Sequence, residues 1–498
     1  MSGNGERGPA GAPIMAPMTL DSATCYRALR SRDARFDGRF FVAVSSTRIY
    51  CRPVCTVKPP RRENCRFYPS AAAAESAGYR PCLRCRPELA PGNASVDATT
   101  RVAQAAACLI EDRALDADGL EAVAARLGIT DRHLRRAFGA EFGVSPVEYA
   151  QTQRLLLAKR LLTDTALPVT EIAFASGFGS LRRFNALFKQ RYRLQPQQLR
   201  RHMRAQTAPA ADALQFELSF RPPYDWPALA AFLGARAVAG VEAVEDGVYR
   251  RTARVELDGK EHRGWIEAAL SPKKPALRVA VSASLARVLP PVLSRVKALM
   301  DLSCNPSEVA PALGSLAERH PGMRVPGAFD GFEVAVRAIL GQQVSVAGAR
   351  TVAGRFAQAL GEPLATPFPT LTTIFPDAAR VADAPMGRIA RLGMLGARAR
   401  TILALARAVA DGDLVLMPNA DIEATLERLR ALPGVGEWTA QYIAMRALAW
   451  PDAFPHTDLG VMKALGTKDA KRVLAVAEAW RPWRAYAVMH LWNSLAKD

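Results

Sequence analysis

The stretch Leu432-Pro433-Gly434-Val435-Gly436 restricts what this chain can fold into more than any other. Two glycines around one apolar residue allow a turn too tight for residues that carry a Cβ, so two helices can meet almost directly there. Bare backbone N–H groups then face outward at the start of the next helix, expected over Trp438 to Leu448, and such a start holds an anion well, a phosphate above all. Pro433 stiffens the approach, and Asp458 lies 22 residues beyond Gly436. By itself a Gly-x-Gly turn often does no more than join two helices.

With 498 residues, almost half of them hydrophobic, the chain has material for three or four packed domains. No apolar run approaches the length of a membrane span. The segment 1–20, rich in Gly, Pro and Ala, lacks the apolar core of a signal peptide and is expected to be a disordered tail. A cytoplasmic, nucleoid-associated protein follows. The net charge of +19 is unevenly spread. Residues 21–90 carry 14 basic against 6 acidic side chains, residues 101–204 carry 17 against 10, and residues 205–498 carry 34 against 29. The excess sits in the first two segments, which suits a polyanion such as double-stranded DNA, although an Arg-rich proteome would also raise it.

Four of the eight cysteines cluster as Cys51, Cys55, Cys82 and Cys85. Each close pair can clasp one side of a tetrahedral Zn²⁺, and thiolates suit that ion. Four-cysteine sites are usually inert staples. Here Arg48, Arg52, Arg61, Arg62, Arg66, Arg84 and Arg86 crowd the segment, able to offset the cluster's negative charge and to hold phosphates. The runs Tyr50-Cys51-Arg52-Pro53-Val54-Cys55, Arg62 to Tyr68 and Gly78 to Cys85 resemble the zinc domain of the Ada adaptive-response proteins. The resemblance implies one Zn²⁺ on Cys51, Cys55, Cys82 and Cys85. It also implies that Cys51 accepts a methyl group, once, from a DNA phosphotriester. Cys65 is not needed as a ligand, and Cys25 and Cys108 read as ordinary core or surface residues.

Residues 97–205 hold two similar units. Gly128 and Gly177 are 49 residues apart, and Phe138 and Phe188 are 50 apart, as are Pro146 and Pro196. In each unit a short apolar-faced helix precedes a glycine turn, and Thr130 or Ser180 can cap the next helix. The second helices expose Arg132, Arg135 and Arg136 in one unit and Arg182, Arg183 and Asn185 in the other, side chains suited to base edges and phosphates in a major groove. A plain helical bundle would also expose charges. The paired pattern, with Ile172 to Phe178, resembles the AraC-type double helix-turn-helix domain. That resemblance implies a transcriptional activator, with RNA polymerase as its protein partner.

From 213 to 300, alternating stretches predict strands at Gln215–Arg221, Tyr249–Leu257, Arg263–Glu267 and Ala276–Val281, with helices at Trp226–Leu233 and Leu289–Met300. This resembles the small α+β, TBP-like first domain of AlkA-type 3-methyladenine DNA glycosylase II, and its expected role is scaffolding. Residues 301–498 read as all-helical. Ala338 to Ser345, the Leu432–Gly436 hairpin and Phe454-Pro455-His456-Thr457-Asp458 resemble the helix-hairpin-helix base-excision glycosylases over Phe332 to Trp492.

The glycosylase resemblance implies specific roles. Asp458 matches the catalytic aspartate, although an Asp after Thr457 is also what a helix N-cap requires. Trp438, Tyr442 and Trp492 match the aromatic pocket that stacks on a flipped, electron-poor alkylated purine. Leu432, Gly434 and Gly436 match the phosphate-binding hairpin, where a monovalent cation is a further candidate. Gln342 and Gln343 lie where the family inserts a side chain into the gap left by the flipped base, but they are polar where AlkA-type enzymes place an apolar wedge. Trp438 stands where relatives that also nick DNA carry a lysine, which implies a monofunctional enzyme. No cysteine follows Cys304, which leaves none for an iron–sulfur cluster in this half, and the Ada family's second Pro-Cys-His-Arg centre is absent. The whole reads as a multidomain α+β fusion for alkylation repair and its gene response. Two alternatives stay open: a regulator whose glycosylase half is only a DNA-binding platform, and a glycosylase whose front half only tethers it to DNA.

Overall fold

The computed structural model describes residues 21–91, 98–111, 114–165, 167–203, 213–257, 259–418 and 421–495. The tail expected over 1–20 lies outside the described residues.

The cysteine segment is built on a four-stranded sheet in the spatial order Cys65–Tyr68, Phe41–Val44, Ile49–Cys51, Arg80–Pro81. The two-residue strand Arg80–Pro81 runs parallel to Ile49–Cys51, with Tyr50 opposite Pro81. That pairing sets Cys82 beside the end of the strand carrying Cys51, and Cys82 N donates to Tyr50 O at 3.0 Å. Sequence alternation is blind to so short a parallel strand.

The helical segment holds the two expected units. In the first, Gly128 takes φ +67° and Thr130 accepts from His133 N to cap Asp131–Phe142. In the second, Gly177 takes φ +88° and Ser180 caps Leu181–Tyr192. The long helix Pro146–Asp164, opened by a Ser145/Glu148 capping box, joins them. Phe178, Phe184, Phe188 and Tyr192 form a run of tilted and edge-on rings with centroids 4.8–5.5 Å apart. Their core does not stop at the unit. Leu155, Leu161, Ile172 and Phe184 share one buried cluster with Phe216, Ile266, Leu289 and Val292 of the following domain. The cysteine segment is tied to the same frame. Lys159 Nζ pairs with Glu88 at 2.6 Å, both buried, and Arg86 with Asp164 at 2.7 Å. Tyr50 and Tyr192 both donate to Glu75 Oε1.

The α+β domain is an antiparallel five-stranded sheet in the order Ala213–Ser219, Ala276–Ser282, Lys260–Leu270, Val248–Leu257, Glu242–Glu245. The last strand, only four residues long, had no signal in the sequence. Helices Trp226–Ala235 and Leu289–Leu299 pack with the sheet. A buried ionic cluster fastens it to the C-terminal helices. Arg251 pairs with Glu333 at 2.6 Å, and Arg337 bridges Glu242 and Glu333 at 2.8 Å each. Breaking one partner in such a cluster strands a buried charge, at a cost of roughly 3–5 kcal/mol. The C-terminal half is a helical bundle around a large apolar core, not all-helical as expected, since Glu362–Pro363 pairs antiparallel with Thr373–Ile374. Among the described residues no helix is long and apolar enough to cross a membrane.

Candidate active site and zinc centre

The hairpin joins helix Ile422–Ala431 to helix Glu437–Arg446. Gly434 has φ +82°, and a Cβ there would lie 2.3 Å from Thr401 Oγ1, so conformation and space both require glycine. Thr401 Oγ1 in turn donates to Pro433 O at 2.7 Å. Gly436 opens the second helix with no side-chain cap, and nothing stands where its Cβ would be. Gly434 and Gly436 are exposed and Leu432 half-buried. Glu437, in that first turn, would repel an anion, but Arg430 grips its carboxylate at 2.7 and 3.0 Å. That bond holds Glu437 below the usual carboxylate range.

Behind the hairpin the two tryptophans converge on Asp458. Trp438 Nε1 donates to Oδ2 at 2.8 Å, and Trp492 Nε1 donates to Oδ1 at 2.8 Å. Asp458 is also the N-cap of Leu459–Ala464, accepting from Val461 N at 2.9 Å. The cap bond orients the carboxylate, and both indole N–H groups aim at it. Trp438 stacks on Tyr442 with centroids 5.3 Å apart, and Tyr442 meets Trp492 at 6.2 Å, tilted 41°.

The α+β domain does more than scaffold. Phe232, from helix Trp226–Ala235, stacks on Trp492 at 6.2 Å and 15°, with the Arg236 guanidinium 3.7 Å from its own ring centre. Arg446 donates to the Tyr442 hydroxyl at 3.0 Å. Burial pushes the Tyr442 phenol up, but the guanidiniums of Arg446, Arg236 and Arg337 outweigh it and the net shift is downward. Sequence reading missed Phe232 and Arg236 because nothing local marks them: their partners lie at the far end of the chain.

Gln342 and Gln343 part company. Gln342 Nε2 turns inward, donating to Gly434 O at 3.0 Å and Thr439 Oγ1 at 2.9 Å, and so braces the hairpin. Gln343 is exposed with φ +53°, a conformation uncommon outside glycine.

The four cysteine sulfurs lie within 4.8 Å of one another, a spacing that closes to a tetrahedral Zn²⁺ site. Their surroundings differ. Cys85 accepts from Arg52 N at 3.4 Å, Cys55 takes a backbone bond at Val57, and Cys82 takes one from Cys85. Cys51 and Cys85 are half-exposed, whereas Cys55 and Cys82 are buried. Arg52 and Arg86, expected to help hold phosphates, are committed elsewhere: Arg52 forks onto buried Asp37, and Arg86 reaches Glu88 and Asp164. Arg48, Arg61, Arg62, Arg66 and Arg84 remain exposed. On the helix-turn-helix units, Arg132, Arg135, Arg136, Arg182 and Arg183 are exposed and Asn185 half-buried, with Arg135 paired to Asp131 at 3.0 Å.

Four family descriptions match along the chain. They are the metal binding domain of Ada over 24–88, a helix-turn-helix domain over 123–202, the AlkA N-terminal domain over 215–330, and the HhH-GPD superfamily of base excision DNA repair proteins over 336–477. A probable bifunctional transcriptional activator/DNA repair enzyme AlkA of Mycobacterium tuberculosis is 41% identical over 488 residues, 95% of this chain and 97% of the relative. This chain belongs to that AlkA-type bifunctional family. DNA-3-methyladenine glycosylase 2 of Escherichia coli is 39% identical over 277 residues, 56% of this chain and 96% of the relative. The bifunctional transcriptional activator/DNA repair enzyme Ada of Escherichia coli is 36% identical over 153 residues, 30% of this chain and 41% of the relative. The chain is thus a DNA-binding repair glycosylase fused to an Ada-type zinc domain and an AraC-type activator module.

Proposed function

We propose that Asp458 drives hydrolysis of the N-glycosidic bond of alkylated purines such as 3-methyladenine. The observation that carries this is the convergence of two indole N–H groups, one from the hairpin helix and one from the C-terminal helix, on one carboxylate. As the base leaves with the bonding electrons, positive charge grows on the deoxyribose. A carboxylate already held by three N–H donors faces that charge without reorganising. A cationic base suits the aromatic walls. Trp438 and Tyr442 are too close to admit it, since a planar ring between two others needs about 7 Å, twice the ~3.5 Å contact distance. Tyr442 and Trp492, 6.2 Å apart and tilted by 41°, admit it once they open and align. The hairpin N–H groups of Gly434 and Gly436, beside Leu432, take the DNA backbone, Gln343 fills the gap in the duplex, and Gln342 positions the hairpin. A monovalent cation at the hairpin belongs to the same reading. With Trp438 in place of an amine, strand nicking is not expected.

Cys51, Cys55, Cys82 and Cys85 would hold the Zn²⁺, which when bound would keep their thiols deprotonated at neutral pH. Cys51, half-exposed and in the position that matches the Ada acceptor, attacks the methyl carbon of a phosphotriester. The C–O bond breaks, an S–CH₃ bond forms, and the phosphate leaves as a diester anion. Methylation removes one negative charge from a DNA-facing cluster and strengthens its grip. The recognition helices, through Arg132, Arg135, Arg136, Arg182, Arg183 and Asn185, then read promoter DNA, with RNA polymerase as the recruited partner. The test incubates the full chain with methylated duplex DNA. Free 3-methyladenine, an intact abasic strand and one methyl on the Cys51 peptide are expected. Absence of free base overturns the glycosylase assignment, and an unmodified Cys51 peptide overturns the acceptor.

A further inference from the structure

Helix Leu459–Ala464 has only six residues, and its second is Gly460. The backbone does not demand glycine there, since Gly460 lies outside the left-handed region that Gly434 occupies. Glycine is poorly suited to a helix and alanine best suited. Space supplies the reason. A Cβ on Gly460 would stand 2.9 Å from Trp492 Cδ1, 3.2 Å from Trp492 Nε1 and 3.0 Å from Asp458 Oδ1. Two of these atoms are the donor and acceptor of the Trp492–Asp458 hydrogen bond. A side chain there must therefore shift one or both neighbours by a few tenths of an ångström. The indole is backed by Phe232 and flanked by Tyr442, and Asp458 Oδ1 is also held by Val461 N.

We propose that Gly460 is a positioning residue for base excision. Its missing side chain lets Trp492 lie against the first turn of this helix and hold the carboxylate. The proposal rests on the assignment of Asp458 above. Any side chain at 460 drives indole and carboxylate apart, so a substitution that favours the helix disfavours the reaction. A merely structural role would move stability and activity together.

The experiment uses Gly460→Ala in the full chain. It measures single-turnover release of 3-methyladenine, thermal unfolding, and the indole N–H spectrum of ¹⁵N-tryptophan-labelled protein. The seven tryptophans give a resolvable set, with Trp492 assigned by Trp492→Phe. We expect at least a tenfold slower release, an unfolding midpoint unchanged or higher, and a displaced Trp492 signal. Release at the wild-type rate, or an unmoved Trp492 signal, overturns the proposal. So does a slower rate accompanied by a lowered midpoint. Asp458→Asn measured in parallel separates the two ideas: full activity there removes the assignment of Asp458, whereas an inactive Asp458→Asn with an unaffected Gly460→Ala removes only the role of Gly460.

Discussion

Replacing Trp492 by Phe keeps an aromatic ring against Phe232 and Tyr442 while deleting the Nε1–H that reaches Asp458 Oδ1 at 2.8 Å. A hydrogen bond to a charged group contributes roughly 1.5–3 kcal/mol. If the bond matters mainly when positive charge develops on the sugar, that energy appears in the chemical step. At about 1.4 kcal/mol per factor of ten, single-turnover release of 3-methyladenine should slow by roughly 10- to 100-fold. Binding to a duplex holding an abasic site, which is proposed to rest on the hairpin and Gln343, should stay within about twofold. Trp438→Phe should act alike through Oδ2. The double variant should lose less than the product of the two single effects, because both indoles serve one carboxylate. A wild-type rate in Trp492→Phe, or a loss confined to DNA affinity, would refute the reasoning.

Phe232→Ala removes a ring that stacks on Trp492 and carries Arg236, so affinity for the alkylated base should drop several-fold to tenfold, read by inhibition with free 3-methyladenine. Gln343→Ala should weaken binding to damaged duplex while sparing stability, whereas Gln342→Ala should lower the unfolding midpoint as well, since it cuts both bonds to the hairpin. Glu75 is buried, and burial pushes its carboxyl from 4.5 up to about 7. The folded state therefore binds more protons between those values, and stability falls as pH rises from 4.5 to 7. Glu75→Gln should match the wild type near pH 4 and exceed it at pH 8 by up to about 3 kcal/mol in denaturant titrations; equal stability at both pH values would contradict the burial argument.

Sequence and structure agree where chemistry is tied to local spacing. The hairpin was legible because Gly434 and Gly436 leave few alternatives, and the caps at Thr130 and Ser180 because a hydroxyl before an amphipathic run has one good use. The cysteine quartet was legible from paired spacing. What escaped was set by contacts between distant segments. Phe232 is an ordinary apolar residue on its helix until the fold lays it on Trp492. The strand Glu242–Glu245 exists because Val248–Leu257 offers it an edge, not because four residues alternate. Gln342 and Gln343 are identical in type, and the backbone turn at φ +53° separates the inward brace from its exposed neighbour. The core shared by the second helix-turn-helix unit and the five-stranded sheet likewise joins elements that no local pattern relates.

The most direct measurement is the single-turnover rate of 3-methyladenine release by Asp458→Asn in the full chain, at enzyme in excess over damaged DNA. Asn keeps the shape and, through its carbonyl oxygen, the cap, but it loses the charge and can no longer accept from both indole N–H groups. A fall of at least a thousandfold, with abasic-DNA binding and unfolding midpoint retained, is the predicted result. Release within tenfold of the wild-type rate would contradict the account.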